Sequence, residues 1–185
     1  MGLGPAAREL YQKLNLKPPA RVCDLGSQEM SQGVSGSAKD WMEEQGFDYT
    51  CIDFDGKFGA LKLDLNVATI HDIYQAYTET SFDIVTNHGT TEHIFNQANV
   101  FKLMHDLTVL GGLMIHAVPT PKFGPSHGFY YYDESIFDDL AHANDYEILQ
   151  KYRQDDPYEI ILVAFRKQYT NSFRVPIQGM YRDRV

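Results

Sequence analysis

The chain is poor in cysteine, in positive charge, in long apolar runs and in the glycines that dinucleotide-binding loops carry. Its two cysteines, Cys23 and Cys51, each fall inside a short apolar segment. Two thiols unaided cannot complete a four-ligand structural zinc site, and reduced core thiols fit a cytosolic compartment. Lysine and arginine number 16 against 25 acidic residues, for a formal charge of −9. Nucleic-acid binding and adhesion to anionic membranes draw on clustered cations, so neither kind of partner is expected. The longest uninterrupted apolar run, Ile160 to Phe165, is strand-sized, well short of the roughly 20 residues of a membrane-spanning helix. The opening Met1-Gly2-Leu3-Gly4-Pro5 carries no basic and apolar leader pattern. These absences together read as a cytoplasmic protein.

Apolar residues make up 43% of the 185 and aromatics 13%, enough for one domain with a substantial core. Its core is expected over residues 20–166, with 168–185 a docking arm or a tail. Strands are expected at Arg21–Leu25, Tyr49–Phe54, Ala60–Leu65, Phe82–Thr86 and Leu113–Val118. Helical spacing of apolar residues falls at Ala6–Leu14, Ala38–Gln45, Ala68–Tyr77, Ala98–Leu107 and Ser135–Ala141. Gly111-Gly112 reads as the stop of the fourth helix. The chain closes with strands at Tyr146–Tyr152 and Glu159–Phe165, joined through Asp155-Asp156-Pro157 as a hairpin. Alternating strands and helices imply a doubly wound, mostly parallel α/β sheet, and the hairpin adds one antiparallel strand.

Asp24-Leu25-Gly26-Ser27 ends the first strand and Asp53 ends the second. A glycine turn followed by an acid one βα unit later describes a nucleoside-binding half, in which the carboxylate grips a ribose diol. A pyrophosphate site wants G-x-G-x-x-G, whereas the turn here reads Gly26-Ser27-Gln28-Glu29-Met30. A glutamate there disfavours two phosphates and favours a sulfonium or ammonium. A nicotinamide-dependent oxidoreductase is therefore disfavoured, and no Walker loop supports ATP hydrolysis. Asp24, Asp53, Asp55 and Asp64 place acids after three successive strands, as a diol, an exocyclic amine and a cationic amino-acid tail require.

Several segments occur together in order: Val22-Cys23-Asp24-Leu25-Gly26-Ser27, Cys51-Ile52-Asp53-Phe54-Asp55, Leu63-Asp64-Leu65, Phe82-Asp83-Ile84-Val85, Glu92-His93-Ile94 and Leu110-Gly111-Gly112-Leu113-Met114-Ile115. Over roughly residues 20–166 the chain resembles the class I S-adenosylmethionine-dependent methyltransferases of the small-molecule type. The resemblance implies a Rossmann-like seven-stranded sheet with an antiparallel last strand, S-adenosyl-L-methionine as cofactor and a small-molecule acceptor. It further implies that Asp24, Gly26 and Ser27 lie against the methionine part of the cofactor. Asp53 would hold the ribose, Phe54 would lie beside the adenine, Asp64 and Leu65 at its edge, and Asn87 and His88 would face the methyl group. The sequence departs from the family pattern at Gln28, where a second glycine is usual, and at Val109-Leu110, where Lys-Pro is common.

Methyl transfer to a hydroxyl benefits from a base that titrates near neutrality, and histidine suits this. His88, His93 and His127 follow strand C-termini and are the catalytic candidates; they favour an oxygen acceptor. His127-Gly128 precedes Phe129-Tyr130-Tyr131-Tyr132, a candidate apolar wall for a ring-shaped or sugar acceptor. Glu92-His93 with the later His127 is similar to part of a divalent-metal group of RNA-terminal methyltransferases. Its first glutamate is Gly89 here, and no metal is expected. The competing reading is a cofactor-binding regulatory or partner protein without turnover, which Gln28 and the small size keep open.

Overall fold

The computed structural model describes residues 2–31, 33–77, 81–155 and 158–179. A seven-stranded sheet runs through it. The strands are β1 (Arg21–Leu25), β2 (Asp48–Asp53), β3 (Leu61–Lys62), β4 (Phe82–His88), β5 (Thr108–Pro119), β6 (Tyr146–Gln154) and β7 (Ile160–Lys167). Their spatial order is β3-β2-β1-β4-β5-β7-β6. β7 is antiparallel to both β5 and β6, and the remaining neighbours pair in parallel. The expected antiparallel last strand is thus found, inserted between β5 and the edge strand β6. Asp156 and Pro157 of the β6–β7 connection, and Arg182 and Arg184 of the terminal segment, lie outside the described residues.

Five α-helices accompany the sheet: α1 (Pro5–Lys13), α2 (Ala38–Glu44), α3 (Ile70–Ala76), α4 (Gln97–Leu107) and α5 (Glu134–Asn144). Helix starts follow side-chain chemistry. Ser37 caps α2 through Asp40 N–H, and Thr69 and Asp72 form a reciprocal capping box on α3. Helices α1 and α2 bury Leu10 and Met42 on one face of the sheet. Helices α3, α4 and α5 bury Ile73, Met104, Leu107 and Phe137 on the other. β7 is covered from both sides, which explains its unbroken apolar run Ile161–Phe165.

Two expectations change. β3 spans Leu61–Lys62 alone, and the chain leaves the sheet at Leu63. Gly111-Gly112 does not end α4, which stops at Leu107 with Thr108 as its cap. The pair sits inside β5, where the register with β4 shifts between Phe82 and Ile84. Gly111 has φ +79°, and a Cβ on Gly112 would stand 2.9 Å from the Asp83 carbonyl oxygen. This is a β-bulge that needs glycine for a positive φ and for close approach of β4.

Beyond β7 the chain returns along α4 and α5. Asn171 O accepts from His105 Nε2, the Arg174 N–H donates to Asn144 Oδ1, and Phe173 packs on the core. No helix among the described residues is long and apolar enough to cross a membrane.

Candidate active site

The sheet order reverses between β1 and β4, so their C-terminal loops part and leave a crevice. A cleft of about 840 Å³ occupies this place. Its walls come from the segments after β1, β2, β3 and β4: Ser27 to Ser31, Asp53 to Lys57, Leu63 to Asn66, and Gly89 to Ile94. Glu29, Asp53, Asp55 and Asp64 supply four carboxylates; the one lysine in the lining, Lys57, lies 3.2 Å from Asp55. The cleft is built to hold positive charge and hydroxyl donors.

Ser27 fixes the first turn to the second. Its N–H and its Oγ both donate to Asp53 Oδ2, at 2.8 and 2.9 Å. Asp53 Oδ1 keeps one long contact, 3.4 Å from the Asp55 N–H. That oxygen is left to accept from a ligand hydroxyl. Asp55 is held below the usual carboxylate range by the Lys57 backbone N–H, and Asp64 likewise by that of Asn66. Phe54 is 73% exposed, and Leu65, also in the lining, is buried.

Gly26 serves packing more than ligand approach. With φ +110°, it brings its Cα so close to the next wall that a Cβ would lie 2.3 Å from Thr90 Oγ1 and 2.5 Å from Gln28 Nε2. Gln28 Nε2 donates to Thr90 Oγ1 at 3.0 Å, joining the loops after β1 and β4. The residue in place of the usual second glycine is therefore a strut between the two halves.

Five sequence candidates lie outside the cleft lining: Gly26, His127, Asp24, Asn87 and His88. Asp24 is 1% exposed and accepts from Tyr49 Oη and Thr86 Oγ1, both at 2.7 Å; burial pushes it up to about 7. Asn87 is fully buried. Its Oδ1 accepts the Thr90 and Thr91 N–H groups, and its Nδ2 donates to Thr91 Oγ1, so it shapes the β4 turn and faces no ligand. His88 is enclosed too, with Nε2 2.5 Å from Tyr11 Oη; burial drives its pKa down to about 3. It is a core ring and not a base facing the cleft. His116, ringed by Phe101, Phe137 and Phe165, is held down to about 3 by the same cause.

His93 and His127 do come together, with ring centroids 4.9 Å apart, and His93 lines the cleft. Between them lies Glu92, whose carboxylate has no exposure and neither of whose oxygens has a hydrogen-bond partner. Burial raises Glu92 to about 7 and lowers both histidines. His127 arrives because its loop docks on the Glu92 backbone. The Phe129 and Tyr130 N–H groups donate to Glu92 O at 2.7 and 3.2 Å, and a Cβ on Gly128 would meet that oxygen at 2.8 Å. Exposed Phe95 and Phe129 meet edge to face, 5.7 Å apart, with Tyr130 6.3 Å from Phe95.

An N1-methyltransferase for 1,6-didemethyltoxoflavin from Burkholderia thailandensis, solved with that substrate and S-adenosylhomocysteine, superposes on this chain at a TM-score of 0.63. The two are 18% identical over 89% of this chain and 77% of the other. An S-adenosylmethionine-dependent methyltransferase from Mesorhizobium loti gives 0.63 at 14% identity, over 86% and 96%. The N-methyltransferase NodS of Bradyrhizobium japonicum, with S-adenosylhomocysteine, gives 0.59 at 15%, over 90% and 89%. The fold is that of the class I S-adenosylmethionine-dependent methyltransferases. No protein-family model matches the chain, and no curated protein sequence gives a significant match. In the methyltransferase fold, the acid-lined half of the cleft here lies after β1 to β3, and the Glu92–His93–His127 group stands on the β4 side.

Sequence reasoning missed Asn66 as a lining residue and the strut between Gln28 and Thr90. No residue pattern marks them, because their position follows from how four loops converge.

Proposed function

We propose that the chain is an S-adenosylmethionine-dependent methyltransferase acting on the oxygen of a small, ring-bearing acceptor, with residues 20–166 as its catalytic core. The observation that carries this reading is the cleft at the β1–β4 reversal, whose Asp53 is clamped by Ser27 with one oxygen left facing the ligand. The residues present fit the cofactor. Asp53 accepts from the ribose hydroxyls, and Asp64, Leu65 and Phe54 flank the place for adenine. The surplus of carboxylates favours a ligand with a sulfonium and an ammonium over one with a pyrophosphate.

S-adenosylmethionine supplies an electrophilic methyl group on a sulfonium. The protein's task is then alignment and exclusion of water. Gln28 and Thr90 fix the width of the cleft between the two loops. His93, backed by Glu92 and His127, forms the acceptor side, where an acceptor hydroxyl loses its proton as its oxygen takes the methyl. Phe95, Phe129 and Tyr130 offer aromatic faces that suit a ring. Oxygen is preferred because a hydroxyl acceptor must give up a proton, and Glu92, His93 and His127 on this wall are the groups that assist that loss.

A thermal-shift panel tests the reading. S-adenosylmethionine and S-adenosylhomocysteine are expected to raise the melting temperature, since a ligand bound by the native state alone stabilises it by mass action. NAD is expected to leave it unchanged. Stabilisation by NAD and by neither adenosyl compound would sink the proposal. A labelled-methyl assay against phenolic and amine acceptors then separates turnover from binding without turnover.

A further inference from the structure

We infer that Glu92, His93 and His127 form a binding site for one divalent transition-metal ion of the zinc class, on the acceptor side of the cleft. The ion binding itself is independent of the methyltransferase reading; the ion's part in holding an acceptor oxygen rests on it.

A carboxylate with no exposure is expensive to leave without a partner. Among the described residues no lysine or arginine pairs with Glu92, and both its oxygens lack hydrogen bonds. The Nε2 of His127 is buried and unpartnered as well. These orphaned atoms lie close to one another. His127 Nε2 stands 3.3 Å and His93 Nε2 4.0 Å from Glu92 Oε1, and the three ligand atoms all lie within 4.8 Å of one another. Ligands at about 2.0–2.2 Å from a tetrahedral ion are roughly 3.3–3.5 Å apart. The Glu92–His127 pair already has that separation, and a small rotation of the half-exposed His93 ring closes the rest.

The surrounding structure holds the group in place. Gly128 permits the His127 loop to sit on the Glu92 carbonyl, and the His127 N–H donates to Tyr131 Oη at 2.9 Å. The Phe123 ring lies 4.4 Å from the His127 ring and dries one side. Two imidazoles with one carboxylate suit zinc and its neighbours, whereas magnesium takes oxygen ligands alone. Three protein ligands leave at least one open position. His93 borders the cleft, so that position falls where an acceptor oxygen enters. There the ion lowers the pKa of a bound hydroxyl, whose proton passes to solvent. With the ion bound, the imidazole nitrogens are its ligands and not bases.

The test is a calorimetric titration of the untagged, chelator-treated full chain with zinc chloride, and in parallel with magnesium chloride. One zinc per chain is expected, with no magnesium binding. Glu92→Gln and His93→Ala should each weaken zinc binding at least tenfold. Glu92→Gln is also expected to keep or raise the metal-free melting temperature, because it removes an unpaired buried charge. A zinc-induced rise in melting temperature should be lost in the variant. Binding of S-adenosylhomocysteine, measured on the same samples, should be retained in Glu92→Gln, whose side chain does not line the cleft, so that failure of the metal site is distinguishable from failure of the cofactor site. The inference is overturned if the wild type binds no zinc, or if both variants bind it as tightly as the wild type does.

Discussion

Replacing Asp24 with asparagine should make the protein less sensitive to rising pH. The Asp24 carboxyl is 1% exposed and titrates at about 7 in the fold, against about 3.9 in an unfolded chain. Burial is the main cause; the hydrogen bonds from Tyr49 and Thr86 act the other way. The sign follows from proton uptake. Between about pH 4 and pH 7 the folded state holds a proton that the unfolded state has lost, so stability falls as pH rises through this window and levels off above it. From pH 5 to pH 8 the loss amounts to about 3 kcal/mol. Asparagine is nearly isosteric, never ionises, and can still pair with the two hydroxyls. His88 and His116 titrate with the opposite sign, since both are held neutral in the fold down to about pH 3, so the pH profile of the wild type alone is not diagnostic. The difference between wild type and Asp24→Asn cancels them. Urea unfolding of both proteins at pH 5 and pH 8 measures it. The stability of the variant relative to wild type should grow by about 3 kcal/mol between these pH values, or roughly 5–10 °C in melting temperature for a chain of this size. A difference that stays constant with pH would refute the assignment of Asp24 as a buried, proton-retaining acid.

Gly26→Ala should destabilise the fold by roughly 2 kcal/mol or more, because φ is +110° and the new methyl meets Thr90 and Gln28; thermal unfolding that matches wild type would contradict the strut geometry. Phe137→Ala removes a fully buried ring in contact with His116, Tyr132 and Phe165. It should cost about 3–5 kcal/mol, read by chemical denaturation, with a change under 1 kcal/mol arguing against this core.

The order of elements was legible because strand and helix periods differ and because both faces of the sheet are covered. Arg21–Leu25 was placed to the residue. The glycine pair was misread because a bulge and a helix stop use the same residue for the same reason, tolerance of positive φ. In the site, Ser27, Asp53, Phe54, Asp64, Leu65 and His93 were placed in one cleft. Asp24, Asn87 and His88 were not, for a common cause. In a strand buried on both faces, side chains at the carboxyl end point into protein whichever way they alternate, and nothing in the residue string says where cover stops and cleft begins. The approach of His127 to Glu92 was equally hidden, since it depends on two backbone hydrogen bonds across separate loops.

In the proposed function the β1–β4 cleft binds S-adenosylmethionine through Asp53. Calorimetric titration of the purified chain with S-adenosylhomocysteine tests it most directly. Saturable binding of one ligand per chain is expected, weakened about tenfold to a hundredfold in Asp53→Ala, which loses one charge-assisted hydrogen bond to the ribose of about 1.5–3 kcal/mol. No binding at millimolar ligand, or equal affinity in wild type and Asp53→Ala, would contradict it.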